Sequence, residues 1–219
     1  MTFYMGLLVS LLTGFSASLS GAILATPAND ITEVNPTISE YIQPIAVNNI
    51  EADIPDVPFY SQFNDISSTK WQKLSCGIAD LAMIIEFYNP GIVSPDILLQ
   101  EGITAGAFID GAGWSHKGLA LLVNRYDLVG TVYDLSSLDK EGAFIQFEKY
   151  LQEGPVIASV YYKFDPQSPI PHLVVINGVD KNIIYYNDPA GNSAGEKISI
   201  QNFLNGWKKR FIVIRPAAA

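Results

Sequence analysis

The spacing of apolar residues shifts along this chain from mainly helical to strand-like, and the shift limits the folds open to it. Between residues 76 and 154 apolar positions recur every three or four residues. Leu81, Ile84, Ile85 and Tyr88 fall at i, i+3, i+4 and i+7, and Phe144, Phe147 and Leu151 share one side of a later segment. Such spacing sets one side of a helix against a core. From Pro155 onward the pattern shortens to alternation and compact apolar blocks: "PVIASVYYKF", "HLVVINGV", "NIIYYND", "EKISI" and "RFIVIRP". Those are strand patterns. Helices first and antiparallel strands later predict an α+β domain.

The first helix starts at Cys76 and stops near Tyr88, where Asn89-Pro90-Gly91 follows. Ser94 as cap and Pro95 at the first position open a short helix over 94–102. Residues 103–113 form a Gly-rich loop. A third helix lies within 114–127 with Ser115 as cap, and a strand follows at 131–137. A fourth helix spans 137–154 and closes on Gly154. The later strands are expected at 155–164, 172–179, 182–188 and 196–200. A helix at 200–207 then leads to a last strand ending near Pro216.

The 219 residues are 48% hydrophobic and 16% charged, enough for a substantial core. The net charge is −9 with no extended basic stripe of Lys or Arg, which argues against nucleic acid as the main partner. A single cysteine excludes an intrachain disulfide. With only two histidines, well separated, no metal-ligand spacing exists, so neither metal nor cofactor is expected.

The first charged residue is Asp30. The apolar stretch before it makes residues 1–25 a signal peptide or an N-terminal membrane anchor, with a buried helix as the third reading. Residues 26–54 are polar, acidic and proline-bearing, and read as a flexible linker to a domain at 55–216. Either of the first two readings predicts an extracellular or cell-surface protein. Any membrane contact would run only through the uncleaved N-terminal segment.

Cys76 can be a small buried hydrophobe, an intermolecular link or a reactive thiol. Its place at a helix start suits the last, because the helix dipole and unpaired N–H groups stabilise a thiolate. A thiol nucleophile needs a base. His172 heads an alternating strand. With a hairpin turn centred near Asp180, residues summing to 360 oppose each other, so His172 faces Asp188 and the two share a face. That arrangement lets the carboxylate orient the ring toward Cys76. The same pair also reads as a surface contact, and Asp188-Pro189 as a turn. His116, at the start of a helix, reads as structural. An oxyanion would draw on the Cys76 backbone N–H and on a side-chain amide, Gln62 or Gln72, of which Gln62 on its extended segment is the better placed. "GNSAGEK", 191–197, has the wrong spacing for a phosphate loop.

The set "VPFYSQ…W…CGIADLAMIIEFY" followed by "HLVVINGVD…YYNDPAG" resembles the papain-like cysteine peptidases of the bacteriocin-processing, double-glycine leader peptidase family, and is most similar to its free-standing members. The resemblance spans about residues 55–216. It implies a papain-like fold, a helical half carrying the nucleophile packed on an antiparallel sheet. It further implies Cys76 as nucleophile, His172 as general base and acid, Asp188 as the orienting group and Gln62 in the oxyanion hole. The chain departs from the family in Ile78, where Pro often follows Cys-Gly, and in a longer interval from Gln62 to Cys76. No transporter or ATP-binding segment accompanies the domain, so the relatives' leader-peptide substrate is not carried over. The resulting expectation is a thiol hydrolase of a peptide or protein substrate. A non-catalytic peptide-binding module on the same fold and a transamidase using the same residues are the alternatives. Trp114 and Tyr161 are placed in the core ahead of the substrate groove.

Overall fold

The computed structural model describes residues 53–218. The N-terminal segment and nearly all of the linker lie outside the described residues.

Six strands form one antiparallel sheet: β3 (Leu128–Asp134), β4 (Val156–Tyr161), β5 (Pro171–Asp180), β6 (Ile183–Asn187), β7 (Glu196–Ser199) and β8 (Trp207–Pro216). Their spatial order is β3-β8-β4-β5-β6-β7. The last strand is therefore central, inserted between β3 and β4. A two-residue ribbon, β1 (Phe108–Ile109) and β2 (Gly113–Trp114), stands apart from this sheet.

Both faces of the sheet are covered, because the strands alternate two apolar sets. Ile157, Leu173, Val175, Ile212 and Ile214 point to one core; Val156, Ala158, Val160, Val174, Ile176, Phe211 and Val213 point to the other. The first core is built by α2 (Cys76–Tyr88), α3 (Pro95–Thr104) and α4 (His116–Leu122). The second is built by α5 (Lys140–Leu151) and α6 (Ile200–Gly206), with Phe147, Phe203 and Trp207 packed ring to ring. A short α1 (Thr69–Gln72) precedes the main helix, inside a stretch whose polarity suggests only a connection.

The helix α2 is not the one-sided helix its spacing predicts. Every residue from Gly77 to Ile85 is buried, because β5 lies below it and α3 and α4 flank it. Gly77 allows this closeness at the N-terminal end. A Cβ there would stand 2.8 Å from Leu119 Cδ1 and 3.1 Å from Leu173 Cδ1.

Several boundaries differ from expectation. The third helix begins at His116 behind the expected Ser115 cap, but it tightens into a 3-10 turn at Val123–Tyr126, ending on Asp127 in the left-handed region. The strand expected at 131–137 runs from Leu128 to Asp134, and α5 starts after Asp139, whose side chain caps Gly142 N–H. The final strand starts at Trp207 rather than Arg210. In each case a cap or a neighbouring strand, not local periodicity, sets the end.

Candidate active site

The sheet and α2 meet at the N-terminal end of the helix, beside the head of β5. Ser75 turns its hydroxyl to the carbonyl of Trp71 at 2.8 Å and does not cap the helix. The N–H groups of Cys76 and Gly77 are thus left for other partners, while that of Ile78 donates to the Ser75 carbonyl at 3.1 Å. Cys76, half-buried, opens this turn. The loop leading to it is anchored by Trp114, whose Nε1–H donates to the Leu74 carbonyl at 2.6 Å while its ring packs against Trp71 and Phe108.

His172 stands at the head of β5, 5% exposed, with the Tyr162 ring edge-on at 5.3 Å. Its Nε2 is 2.6 Å from Asp188 Oδ1. The carboxylate only accepts, so Nε2 donates, and Nδ1 is left for the thiol of Cys76. Asp188 is fixed in turn: its Oδ1 also accepts from Ala190 N–H at 2.8 Å, and its carbonyl accepts from Gly191 N–H at 2.8 Å.

The contact does not arise by the direct opposition expected from sequence. The hairpin turns at Lys181-Asn182, with Asp180 paired to Ile183, so opposed residues sum to 363 near the turn. A bulge at Asn177 shifts the ladder to Ile176↔Tyr186 and Val175↔Asn187, where they sum to 362. Continued past Asn187, this register sets Asp188 against Val174. His172 is its diagonal neighbour on the same face, within side-chain reach. The bulge is held by a buried amide pair: Asn177 Nδ2 donates to Asn187 Oδ1 at 3.0 Å, and Asn187 Nδ2 donates to the Val57 carbonyl at 2.9 Å.

Charge follows geometry. Burial alone would push the Cys76 thiol up. The His172 hydrogen bond and positive charge, with backbone N–H groups of Leu173 and Gly77, outweigh it and hold the thiol below its usual range. For His172 burial favours the neutral ring, but hydrogen bonds to Asp188 and Cys76, and their charges, raise it to about 10. Both displacements favour a thiolate–imidazolium pair over the neutral pair.

Cys76 and His172 line one cleft of about 770 Å³ with Ser159, Leu173, His116, Asp134, Arg210 and the 108–117 ribbon. Two residue placements made from sequence change here. Trp114 is both core and cleft wall, and His116 lies in the cleft as well as at a helix start. Tyr161 lines a different hollow, with Lys208 Nζ over its ring at 4.5 Å.

Residues 63–71 separate the two glutamines, which take different partners. Gln72 Nε2 donates to the carbonyls of Phe63 and Ile66, which uses both its hydrogens. Gln62 is buried, its Nε2 donates once, to the Gln72 carbonyl at 2.8 Å, and its backbone N–H donates to Pro189 O at 2.8 Å. One amide hydrogen of Gln62 remains, next to the turn that holds Asp188. Gln62 is not among the residues lining the cleft.

The chain from residue 54 to 211 matches the model of the Peptidase_C39 like family. The chain belongs to this family of cysteine peptidases. Its fold is that of solved C39 peptidase domains, papain-like, with helices packed on an antiparallel sheet. One is a double glycine motif protease from an AMS/PCAT transporter, in complex with the leader peptide (22% identity, 75% of this chain and 94% of that one, TM-score 0.51). A putative C39-like peptidase from Bacillus anthracis is 17% identical over 77% of this chain and 99% of that one, with TM-score 0.57. The peptidase domain of Streptococcus ComA, a bi-functional ABC transporter involved in a quorum sensing pathway, is 18% identical over 66% and 93%, with TM-score 0.50. No curated protein matches significantly.

The C39-like site also contains a residue that motif reading passes over. Asp80 lies one helical turn beyond Cys76, is fully buried, and neither carboxyl oxygen has a hydrogen-bond partner. Burial first, then the charges of Cys76 and Asp188, push its carboxyl well above the ordinary range, with only His172 opposing. The site has one cation for three acidic groups, so the neutral acid is favoured at Asp80. A lone acid inside the apolar run "CGIADLAMII" is the sequence signal that could have found it.

Proposed function

We propose that this protein is a cysteine peptidase in which Cys76, His172 and Asp188 act as a triad on a peptide or protein substrate. The observation that carries the reading is His172 at the wall of an open cleft that Cys76 also lines, with its Nε2 bonded to Asp188 and its ring acting on the Cys76 thiol. Cys76 thiolate attacks the scissile carbonyl. The Cys76 backbone N–H and the free amide hydrogen of Gln62 stabilise the oxyanion. His172 gives its proton to the departing amine, leaving a thioester. His172 then takes a proton from water, the hydroxide attacks the thioester, and the acid product leaves as the thiolate–imidazolium pair is restored. A peptide substrate is supported by the leader peptide bound to the AMS/PCAT transporter protease.

The test incubates the full chain with a proteome-derived peptide library and reads new termini by mass spectrometry. Termini that vanish in Cys76→Ala and in His172→Ala support the peptidase. Peptide retention by wild type without any Cys76-dependent cleavage overturns it in favour of a binding module. Termini bearing an added amine in place of a free acid would instead assign acyl transfer.

A further inference from the structure

The floor of the cleft is a row of side chains running straight across four strands. Asp134 on β3 is paired with Arg210 on β8, Arg210 with Ser159 on β4, and Ser159 with Leu173 on β5. Directly opposed residues share a face, so all four side chains rise on the side that carries α2 and α4. The next row inward, Val132–Ile212–Ile157–Val175, is apolar; Val132 still lines the cleft, and Ile212, Ile157 and Val175 are buried beneath the helices. The polar row is thus the first beyond the core, where α2 and α4 begin, and it ends at Leu173, next to His172.

Arg210 is the free charge in this row. Three consecutive cations, Lys208, Lys209 and Arg210, meet different fates. Lys208 lies over the Tyr161 ring, and Lys209 donates to the carbonyls of Ser136 and Leu138. Arg210 forms no ion pair and donates no side-chain hydrogen bond among the described residues. Asp134, opposed to it, spends Oδ1 on the Ser136 N–H at 2.9 Å; its carboxyl is held low chiefly by Ser136, with the Arg210 charge a lesser cause. His116 brings no compensating charge: burial and Arg210 itself push its ring toward the neutral form, against Asp134. The other charged residues lining the cleft are Lys73 and Lys117, of the same sign, and Asp110, so with Asp134 cations outnumber anions there in a chain whose net charge is −9.

We propose that Arg210 is a specificity-determining residue that receives an acidic side chain of the substrate, Asp or Glu, two or three residues from the scissile bond. This rests on the reading of Cys76 and His172 as the reacting pair. The spacing follows from the sheet. Arg210 is two strands from Leu173, about 10 Å at roughly 4.8 Å per strand, and an extended peptide advances about 3.3 Å per residue. The guanidinium can pair a carboxylate through two parallel N–H donors, which Lys cannot do. The preference is for a carboxylate, not for length or polarity.

The test uses peptidyl acyloxymethyl ketones that alkylate Cys76, with Glu, Gln or Lys scanned over the second and third positions from the reactive ketone. Each inactivation rate is divided by the iodoacetamide rate of the same variant, which corrects for thiol reactivity. In wild type one Glu probe should react at least tenfold faster than its Lys counterpart. Arg210→Glu should invert that order and Arg210→Gln should remove it. The same sequences as fluorescent amides, titrated into Cys76→Ala, should show the same ranking in binding with no chemistry involved. Equal rates and affinities for Glu and Lys, no binding at all, or a Glu preference that survives Arg210→Glu, would overturn the assignment. Iodoacetamide reactivity of Cys76 no greater than that of free cysteine and indifferent to His172→Ala would overturn the reacting pair instead, while the binding ranking still judges Arg210.

Discussion

His172 Nε2 bonds Asp188 Oδ1 at 2.6 Å because one extra residue, Asn177, sits between them in the ladder. At the register of the turn alone Asp188 would oppose Val175, and His172 would point to the other face. The bulge restores parity. Deleting Asn177 should therefore abolish Cys76-dependent activity while the domain keeps its strand content by circular dichroism. Asp188→Ala should lower kcat/KM by about a hundredfold or more, since the ring loses both orientation and charge partner.

The opposite displacements of Cys76 and His172 give a pH signature. The thiol ionises below its usual value and the imidazolium persists to about 10. Alkylation of Cys76 by iodoacetamide should rise through an inflection below about 8.5, the ordinary thiol value. Peptide turnover should fall on the alkaline side as His172 loses its proton. In His172→Ala burial is opposed only by the backbone N–H groups of Leu173 and Gly77, so the inflection should move upward.

Asp80 ties stability to pH. Its folded-state carboxyl holds a proton more tightly than the unfolded one. The stability this provides is complete below the unfolded value, about 3.9, and is lost as pH rises toward the folded value. Urea melts of wild type should weaken across that window, while Asp80→Asn should lose this component, so that the difference in favour of the variant widens with pH. Parallel curves would contradict a neutral buried acid.

Gln62 and Gln72 should separate kinetically. Gln62→Ala should reduce kcat by about 10²–10³ with little change in KM, as expected when an oxyanion donor is removed. Gln72→Ala frees the carbonyls of Phe63 and Ile66 and should loosen the 63–72 loop, read as faster amide exchange there.

Gly130→Ala tests the sheet's edge. A Cβ there would stand 2.7 Å from Ala120 Cα, against the backbone of α4, which has no side chain to move aside. A loss of about 1–3 kcal/mol in denaturant unfolding is expected.

Local chemistry was readable along the chain. The change from helical to alternating spacing set the α+β class, Cys76 ahead of an apolar run marked a helix start, and Asp188-Pro189 marked a turn, because each depends on neighbours a few residues away. What required the fold were relations between distant segments. Burial of α2 on all sides depends on α3, α4 and β5 closing around it. The register joining His172 to Asp188 depends on a bulge that no periodicity encodes, and the row from Asp134 to Leu173 exists only because β8 inserts between β3 and β4. Sequence thus specified which side chains could do chemistry. Three-dimensional packing decided which of them meet, since strand order and register are fixed by the burial of two cores at once.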